Sequence, residues 1–316
     1  MSRATFIVNP RAGSLRDLAT LLPAMIRELE GQGTIANCIE TTGPNTAAAL
    51  AAKAVREGAD TLFACGGDGT VHEVMQGVVG TNITLGVVPM GTANALARNL
   101  GLSPDPLRAI SQLAGAPATR IPVGRVEYSA GNGGSELQSR YFSVLSGAGP
   151  DGALVYSLLA GKQALGRMAY YAHAARLFMT RRFPPFRISY RLTGSDCWQE
   201  DRAVSAMCAR VGDLGGLFSK LTQGSSLHSA SLRLSYLRPP GRISLPSWFV
   251  SGQLGIHGRN PWLRTIDADE FRCEPIGPHS NVHAQVDGEW IGRLPISVRL
   301  VPDALSLLIP TGIPSR

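Results

Sequence analysis

An aspartate stands among three glycines in CGGDGT, residues 65–70, between a short apolar run and the start of a helical pattern. At the carboxyl end of a parallel strand, a glycine turn lets backbone N–H groups reach phosphate oxygens. An isolated glycine triplet is more often only a tight turn. Asp68 alters this balance, because a carboxylate beside phosphate is repelled unless a divalent cation or a transferable proton is present. The stretch therefore indicates phosphoryl transfer.

Three other polar stretches follow apolar runs in the first 100 residues: NPRAGS (9–14), TTGPNT (41–46) and PMGTANALAR (89–98). Each alone could be ordinary turn chemistry. Four successive strand-to-helix turns rich in Gly, Asn, Ser and Thr would together line one edge of a sheet with amides and hydroxyls. This pattern predicts a site for a phosphorylated ligand.

A second acidic pattern, VDGEW at residues 286–290, contains Asp287 and Glu289. In isolation it is best interpreted as a hairpin, with Asp287 and Gly288 as a two-residue turn between VHAQ and WIGRLPISV. A hairpin would also fix where the two carboxylates point, so a structural and a functional interpretation are compatible.

The elements that must position these residues change in character near residue 120. Residues 4–120 alternate short β-favouring runs with helical spacing, which predicts an α/β domain over residues 1–120 with a parallel, Rossmann-like sheet. Pro23 either lies in the first turn of a shorter helix capped by Thr20 or kinks a longer one. Residues 121–316 contain successive strand-like runs and one clear helix at about 164–180, which predicts a mostly antiparallel, sandwich-like β-rich domain.

The 316 residues carry a net charge of +7, with 44% apolar and 17% charged residues. Residues 161–191 contain seven Lys or Arg and no acidic residue, which favours an anionic partner. If residues 163–180 are helical, one stripe contains Leu165, Met168, Ala172, Ala175 and Met179. This helix could either lie on a membrane surface or pack in the core with a solvated basic rim.

Other classes of protein find little support. We identify no secretory leader and no apolar run long enough to span a membrane, so we expect a protein that is cytosolic or bound at a membrane surface. With the basic segment included, the expected location is the cytoplasm, peripheral at the inner membrane face. The five cysteines are scattered and form no C-x-x-C pair, which predicts reduced, mostly buried thiols. No nucleic-acid-binding motif accompanies the basic charge, and the sequence does not indicate an oligomeric state.

Together, NPRAG, GGDGTVHEVMQG, PMGTANALAR and VDGEW resemble, in order and spacing, the diacylglycerol kinase catalytic-domain family, which includes bacterial diacylglycerol kinases and sphingosine and ceramide kinases. The resemblance spans residues 4–310 and is most specific over residues 66–77. It implies an ATP- and Mg²⁺-dependent lipid kinase with a nucleotide-binding domain, a β-rich lipid-binding domain and a cleft between them. It also implies peripheral contact with an anionic membrane.

The resemblance implies roles for individual residues. Asp68 would act through Mg²⁺ or as a base; Asp287 and Glu289 match an acidic pair near the transferred phosphate. We expect Glu289 to be the base and Asp287 to orient it. The residues expected at ATP are Asn9, Arg11, Ala12, Gly13, Thr42, Gly66, Gly67, Gly69, Thr70, Glu73, Gly91, Thr92 and Asn94, the last supporting its turn.

This sequence departs from the family pattern at three places. Ala95 follows Asn94 where many members have an aspartate, so one acidic member of the metal network is missing. Gly224 and Ser229 occupy positions where members bind a structural metal through carboxylates, and we expect that metal site to be absent. Pro150 replaces the usual aromatic residue before Asp151, which makes Asp151 a weak candidate for a supporting role.

Two other functions remain open from the sequence. NAD kinases, which phosphorylate a small molecule in water, also carry a GGDGT turn, although their partner motif differs from PMGTANALAR. A catalytically inactive regulatory nucleotide-binding module would explain Ala95 but not the retention of three carboxylates. The sequence does not identify the lipid that a lipid kinase would phosphorylate.

Overall fold

The computed structural model describes residues 1–12, 18–129, 136–161, 167–277 and 280–311. Their contacts group the chain into two compact units. The first contains Met1–Val123 and the described residues from Pro302 onward, and the second contains Gly124–Val301. We expected residues from 302 onward in the second domain, but the described residues from Pro302 onward group with the first unit.

The first unit alternates strands and helices. They are β1 (Arg3–Val8), α1 (Leu18–Glu30), β2 (Ile35–Glu40), α2 (Ala47–Arg56), β3 (Thr61–Gly66), α3 (Asp68–Val78), β4 (Thr84–Pro89), α4 (Ala95–Asn99) and α5 (Pro106–Ala114). The strands lie parallel in the order β4–β3–β1–β2. The mixed α/β fold with a parallel sheet is confirmed. Pro23 lies within α1, so the longer helix is the correct alternative.

Burial explains why these strands form the centre of the unit. Every residue of β3 is buried, which is typical of a parallel strand covered on both faces. Phe6 of β1 and Phe63 of β3 stack with their ring centres 5.0 Å apart. A side chain at Gly86 of β4 would overlap the Phe63 ring, so the glycine makes room for it. The core thereby fixes the strand ends from which the polar turns start.

The described residues of the second unit form most of the strands and three helices. They are β5 (Ala118–Ser129), which begins in the first unit, β6 (Leu137–Phe142), β7 (Leu145–Ala148), α6 (Pro150–Gly161), α7 (Arg167–Thr180), β8 (Phe186–Leu192), β9 (Trp198–Ala203), β10 (Ser205–Ala209), β11 (Leu232–Leu237), α8 (Gly241–Gln253), β12 (Leu263–Pro275), β13 (His283–Val286), β14 (Glu289–Arg293) and β15 (Ile296–Leu308). Strand β15 runs on into the first unit, where Ser306 and Leu307 pair with β4 in parallel.

The strands of the second unit pair in antiparallel fashion, as predicted. The long strand β12 is their junction: Leu263–Ala268 pair with β11, and residues from Ala268 to Pro275 pair with β8. The hydrogen-bonded network is therefore continuous through β12. The second unit therefore does not consist of two separate sheets, as a simple sandwich would, because strand β12 pairs with both β11 and β8.

Helices α6 and α8 were not predicted, since we expected only one clear helix in this part of the chain. Helix α7 corresponds to that expected helix. Its predicted apolar stripe is exposed, with Met168 at 78% and Met179 at 82%, so this stripe does not pack in the core. Gln163 and Leu165 lie outside the described residues. No described helix is both long enough and apolar enough to cross a bilayer.

Candidate functional site

The turn between β3 and α3 is packed against the turn between β4 and α4. A Cβ at Gly66 would lie 2.5 Å from the Thr70 Cβ, and one at Gly91 would lie 2.5 Å from the Gly67 Cα. Only glycine allows the two backbones to approach so closely. Gly69, in contrast, is exposed and has open space beside it. The two predicted glycine turns therefore lie side by side, with their backbone accessible at Gly69.

Asn94 fixes the backbone of the second turn. Its side-chain oxygen accepts the Gly91 N–H at 2.9 Å, and its side-chain nitrogen donates to the Gly91 carbonyl at 2.8 Å. Asn94 adopts a left-handed conformation, with φ of 48°, that asparagine tolerates better than most residues. The expected supporting role of Asn94 thus has a direct geometric basis.

Three side chains from the first two turns of α3 contact the three neighbouring polar turns. The Thr70 hydroxyl accepts a hydrogen bond from the Asn9 side chain at 3.1 Å, which reaches the turn after β1. The Asp68 carboxylate accepts the Ala95 N–H at 2.6 Å, which reaches the turn after β4. The third contact, made by Glu73, reaches the turn after β2. Helix α3 therefore organises the whole carboxyl edge of the sheet.

Glu73 uses both carboxylate oxygens for its contact. Oε1 accepts the Asn45 N–H at 2.9 Å and Oε2 accepts the Ala47 N–H at 3.0 Å. These donors lie at the start of α2, where the N–H groups of a first helical turn need partners from outside the helix. The geometry gives Glu73 a positioning role, whereas its predicted contact with nucleotide stays a prediction.

The other predicted ATP-contacting residues lie on or beside the same turns. Thr42, Thr92 and Arg11 are exposed, while Ala12 is buried. The Arg11 N–H donates to the Asn9 side chain at 3.0 Å, so Asn9 shapes this turn. Gly13 lies outside the described residues. The first unit thus brings its described candidates to one polar edge.

The late acidic pattern forms the predicted hairpin in the second unit. Val286 at the end of β13 pairs with Glu289 at the start of β14. Asp287 and Gly288 form the turn with φ of 46° and 84°, as a two-residue turn of this type requires. Glu289 is half-buried, at the first position of the second strand.

The Asp287 carboxylate anchors the hairpin to the start of β7. Oδ1 accepts the N–H groups of Val144 and Leu145 at 3.0 and 2.8 Å, and Oδ2 accepts that of Ser143 at 3.1 Å. The Asp287 N–H in turn donates to the Leu145 carbonyl at 2.7 Å. Because its carboxylate is held by three donors, Asp287 is better suited to fixing the turn than to moving a proton.

Gln285, which we did not predict as a site residue, connects Asp151 to the same turn. Its side-chain nitrogen donates to Asp151 Oδ2 at 3.1 Å, and its side-chain oxygen accepts the Gly288 N–H at 3.0 Å. Burial raises the pKa of the Asp151 carboxyl to about 6, although the Gln285 hydrogen bond opposes this rise. A glutamine in a strand carries no motif, and only the folded hairpin reveals the connection.

Aromatic residues support the hairpin from α6. Tyr156 stacks on His283 with ring centres 4.4 Å apart, and the Trp290 indole N–H donates to His283 Nδ1 at 3.2 Å. Burial, together with the positive charges of Arg181 and Arg293, lowers the pKa of His283 to about 4. His283 is therefore neutral near pH 7 and can accept the indole hydrogen.

The loop that the family resemblance associates with a structural metal is held by a guanidinium group. Buried Arg210 donates to the carbonyl oxygens of Leu227, Ser229 and Ser231 at 2.7 to 2.9 Å. No group of three metal-binding side chains occurs among the described residues. The Arg210 guanidinium therefore binds the carbonyl oxygens of this loop, and the absence of the metal site stays a prediction.

Comparisons with known proteins fit this geometry. The family model described as the diacylglycerol kinase catalytic domain matches residues 3–126. This match, together with relatives that align over nearly the whole chain, supports the diacylglycerol kinase catalytic-domain family. A relative named diacylglycerol kinase, from Staphylococcus saprophyticus, is 26% identical over 98% of this chain and 96% of its own length. These matches support a kinase.

Solved structures extend the likeness to the fold. A diacylglycerol kinase structure from Bacillus anthracis has a TM-score of 0.75 at 20% identity, covering 98% of each chain. Yeast NADH kinase complexed with NADH has a TM-score of 0.53 at 13% identity, covering 98% of this chain and 84% of the other. At these identities, the two structures establish a shared fold only.

Proposed function

We propose that this chain is an ATP-dependent lipid kinase that transfers the γ-phosphate to the hydroxyl group of diacylglycerol or a related membrane lipid. The observation that carries the proposal is the contact of α3 with three polar turns through Asp68, Thr70 and Glu73. This polar edge belongs to the part of the chain that matches the kinase family. The near full-length relatives named diacylglycerol kinase support a lipid as acceptor.

The residues of the polar edge fit a nucleotide. Gly67 and Gly91 let two turns approach each other, and Gly69 leaves the start of α3 accessible. The first N–H groups of an eleven-residue helix such as α3 favour an anion such as phosphate. The exposed hydroxyls of Thr42 and Thr92 can donate further hydrogen bonds. ATP is therefore the proposed phosphoryl donor.

The donor set also fits Mg²⁺ bound together with ATP. Mg²⁺ commonly takes one or two carboxylates and completes its shell with substrate phosphates and water. Asp68 supplies such a carboxylate at the glycine turn, while its Oδ1 also accepts the Ala95 N–H. When bound, the ion supplies charge neutralisation at the transferred phosphoryl group.

The proposed acceptor step assigns a proton to Glu289. The lipid hydroxyl is a poor nucleophile, so a carboxylate must accept its proton as the oxygen bonds to the γ-phosphorus and ADP leaves. Glu289 is proposed as this base, and Asp287 fixes the turn before it. A general base of this kind contributes roughly 10²- to 10⁴-fold to the rate.

The basic segment at residues 161–191 supports contact with an anionic membrane. Arg176, Arg181 and Arg182 are exposed, as is the apolar stripe of α7. Each Lys or Arg near an anionic headgroup surface contributes about 1 kcal/mol to binding. We propose that this contact brings the kinase to lipid substrates at the inner membrane face.

An acceptor panel tests the proposed function. Purified protein is incubated with γ-labelled ATP, Mg²⁺ and mixed micelles containing diacylglycerol, ceramide, a sphingoid base or phosphatidylglycerol. NAD⁺ is included because the fold likeness to NADH kinase favours it as a second candidate. We expect label on a lipid, most strongly diacylglycerol, whereas label on NAD⁺ alone would contradict a lipid acceptor.

A further inference from the structure

On helix α8, two serines face the protein interior and two aliphatic side chains face solvent, which is the reverse of the usual arrangement. Ser244 and Ser251 are buried, whereas Ile243 and Val250 have 53% and 54% of their surface exposed. A helix in water normally packs its apolar side chains on the protein and turns its serines to solvent. The outer side of α8 therefore suits apolar surroundings better than water.

The exposed apolar residues form one stripe. Ile243, Pro246 and Val250 are exposed at positions i, i+3 and i+7, so they lie on one side of the helix. Leu254, the C-terminal capping residue, is 65% exposed and continues this stripe. Trp248 is buried and packs in a core cluster, which holds the helix in place. We call Ile243, Pro246, Val250 and Leu254 the α8 face.

The chain around the α8 face is basic and contains no acidic residue. Residues 214–266 contain six Lys or Arg and neither Asp nor Glu. Arg233 and Arg238 pair with Asp267 and Asp201, which lie outside this range. Arg242, Arg259 and Arg264 are exposed, and they form no ion pair within the described part of the chain. An apolar helical stripe with arginines near it in the sequence is typical of helices that lie in a membrane interface.

The short turn Gly216–Phe218 contacts both helix α8 and helix α7. The Gln253 side chain donates to the Leu217 carbonyl at 2.7 Å, and Leu217 is itself 46% exposed. The adjacent Phe218 packs edge-on against Tyr171 of α7, with ring centres 5.7 Å apart. Exposed apolar residues thus occur on two helices that both contact the short turn Gly216–Phe218.

We propose that the α8 face docks on an anionic lipid bilayer, with its apolar side chains in the interface and Arg242 and Arg259 at the headgroups. The proposal rests on the proposed function, because a kinase for a membrane lipid must reach that lipid where it is embedded. A second copy of the chain fits less well. A two-fold interface centred on this face would bring Arg242 and Arg259 near their own copies, which like charges disfavour.

Sedimentation with vesicles tests the α8 face. The full chain is mixed with vesicles of equal parts phosphatidylglycerol and phosphatidylcholine, or of phosphatidylcholine alone. The triple variant Ile243→Ser, Val250→Ser, Leu254→Ser should bind the anionic vesicles at least about tenfold more weakly than the wild type. Replacing Arg242 or Arg259 with Ala should weaken binding about fivefold each.

The matched control removes exposed apolar residues from elsewhere. Ile35 and Leu137 are 70% and 67% exposed, and the variant Ile35→Ser, Leu137→Ser should bind the vesicles like the wild type. Arg181→Glu with Arg182→Glu separately tests the basic segment that contains α7. Wild-type binding by the triple variant would overturn the proposal.

A fluorescent label keeps the test decisive if the triple variant does not fold. Cys38 and Cys197 are exposed and are first changed to Ser, and then Val250→Cys is labelled with an environment-sensitive dye. The dye should shift to shorter wavelength on anionic vesicles, whereas the same dye at Ile35→Cys should not. No shift at position 250 would overturn the proposal.

Two further measurements separate the possible failures. Sedimentation equilibrium without lipid that shows self-association lost in the triple variant would assign the α8 face to a second copy and overturn membrane docking. Lipid phosphorylation is measured in parallel. Vesicle binding that needs the α8 face, without phosphorylation of any lipid, would support docking and contradict the proposed function. Phosphorylation with vesicle binding unchanged in the triple variant would contradict docking alone.

Discussion

The Asp68 carboxylate accepts the main-chain N–H of Ala95 at 2.6 Å and so joins the first residue of α3 to the first residue of α4. The contact places a negative charge between two strand-to-helix turns at the carboxyl edge of the sheet. Many family members have an aspartate where this chain has Ala95. Of the two positions at these turns where the family resemblance implies a metal-network carboxylate, position 68 holds one and position 95 does not.

Asp68→Asn separates the charge of this residue from its hydrogen bond. Asparagine keeps an oxygen that can accept the Ala95 N–H, so the melting temperature should stay close to that of the wild type. The negative charge is lost, and kcat should fall by about 10²-fold or more. Steady-state kinetics and a thermal melt measure both effects. Near-normal turnover would limit Asp68 to a structural role.

Glu289 and Asp287 should respond differently to removal of their charge. Glu289→Gln keeps the shape but cannot accept a proton, so kcat should fall by about 10²-fold or more while ATP affinity changes little. Asp287→Asn places an N–H₂ group among three amide donors and should cost about 1 to 3 kcal/mol of stability. Kinetics and denaturant unfolding measure these effects. An inactive but fully stable Asp287→Asn, beside an active Glu289→Gln, would reverse the assignment.

Asp151 should make stability depend on pH. Burial raises its pKa in the folded protein from 3.8 to about 6, so folding favours the protonated form. The associated stability is complete below about pH 4 and is lost as the pH rises through 6, by about 3 kcal/mol at most.

Asp151→Asn cannot ionise and tests this dependence. At pH 8 it should be more stable than the wild type by about 1 to 3 kcal/mol, and near pH 4 the two should be similar. Unfolding in urea at several pH values measures the difference. Parallel pH profiles for the two proteins would show that Asp151 does not titrate in this range.

Arg210 should replace the stabilising effect of a structural metal. Arg210→Met leaves three carbonyl oxygens, one buried and two partly buried, without their donor and should cost about 3 kcal/mol or more. Arg233→Met removes only an exposed ion pair on a nearby strand and should cost at most about 1 kcal/mol. Without nucleotide, millimolar Mg²⁺ should leave the wild-type melting temperature unchanged. A clear rise would reveal a metal site with other ligands.

Local signals explain which features could be predicted. The parallel strands of the first unit have short apolar runs, and the glycine turns have an unmistakable composition, so both were predicted correctly. The hairpin at Asp287 and Gly288 followed from its two turn residues. These strands and turns depend on residues adjacent in sequence, so they can be predicted from a single sequence.

Features that depend on distant contacts were missed. Helix α8 follows Pro239 and Pro240, contains Pro246 and exposes Ile243 and Val250, so it lacks the amphipathic pattern that predicts a packed helix. Helix α6 is apolar on all sides and has no helical periodicity to recognise. The return of β15 to pair with β4 joins residues more than 200 positions apart. Such a pairing cannot be predicted from a local sequence pattern.

Within the candidate site, side-chain chemistry was predictable but side-chain partners were not. The motif included Glu73 but did not indicate that both of its oxygens hold the start of α2. Likewise, Gln285 has no recognisable pattern, and its role follows only from its position between Asp151 and Gly288. A sequence identifies side chains that can react. The fold determines which of these side chains instead use their polar atoms to hold neighbouring backbone or side-chain groups in place.

Transfer of the γ-phosphate to a lipid tests the central claim most directly. Wild-type protein and Asp68→Asn are incubated with γ-labelled ATP, Mg²⁺ and micelles containing diacylglycerol, and the extracted lipids are separated and counted. We predict that the wild type forms labelled phosphatidic acid and that Asp68→Asn, folded to the same extent, forms about 10²-fold less or none. Absence of any labelled lipid from folded wild-type protein, across diacylglycerol and the other lipid acceptors, would contradict the account.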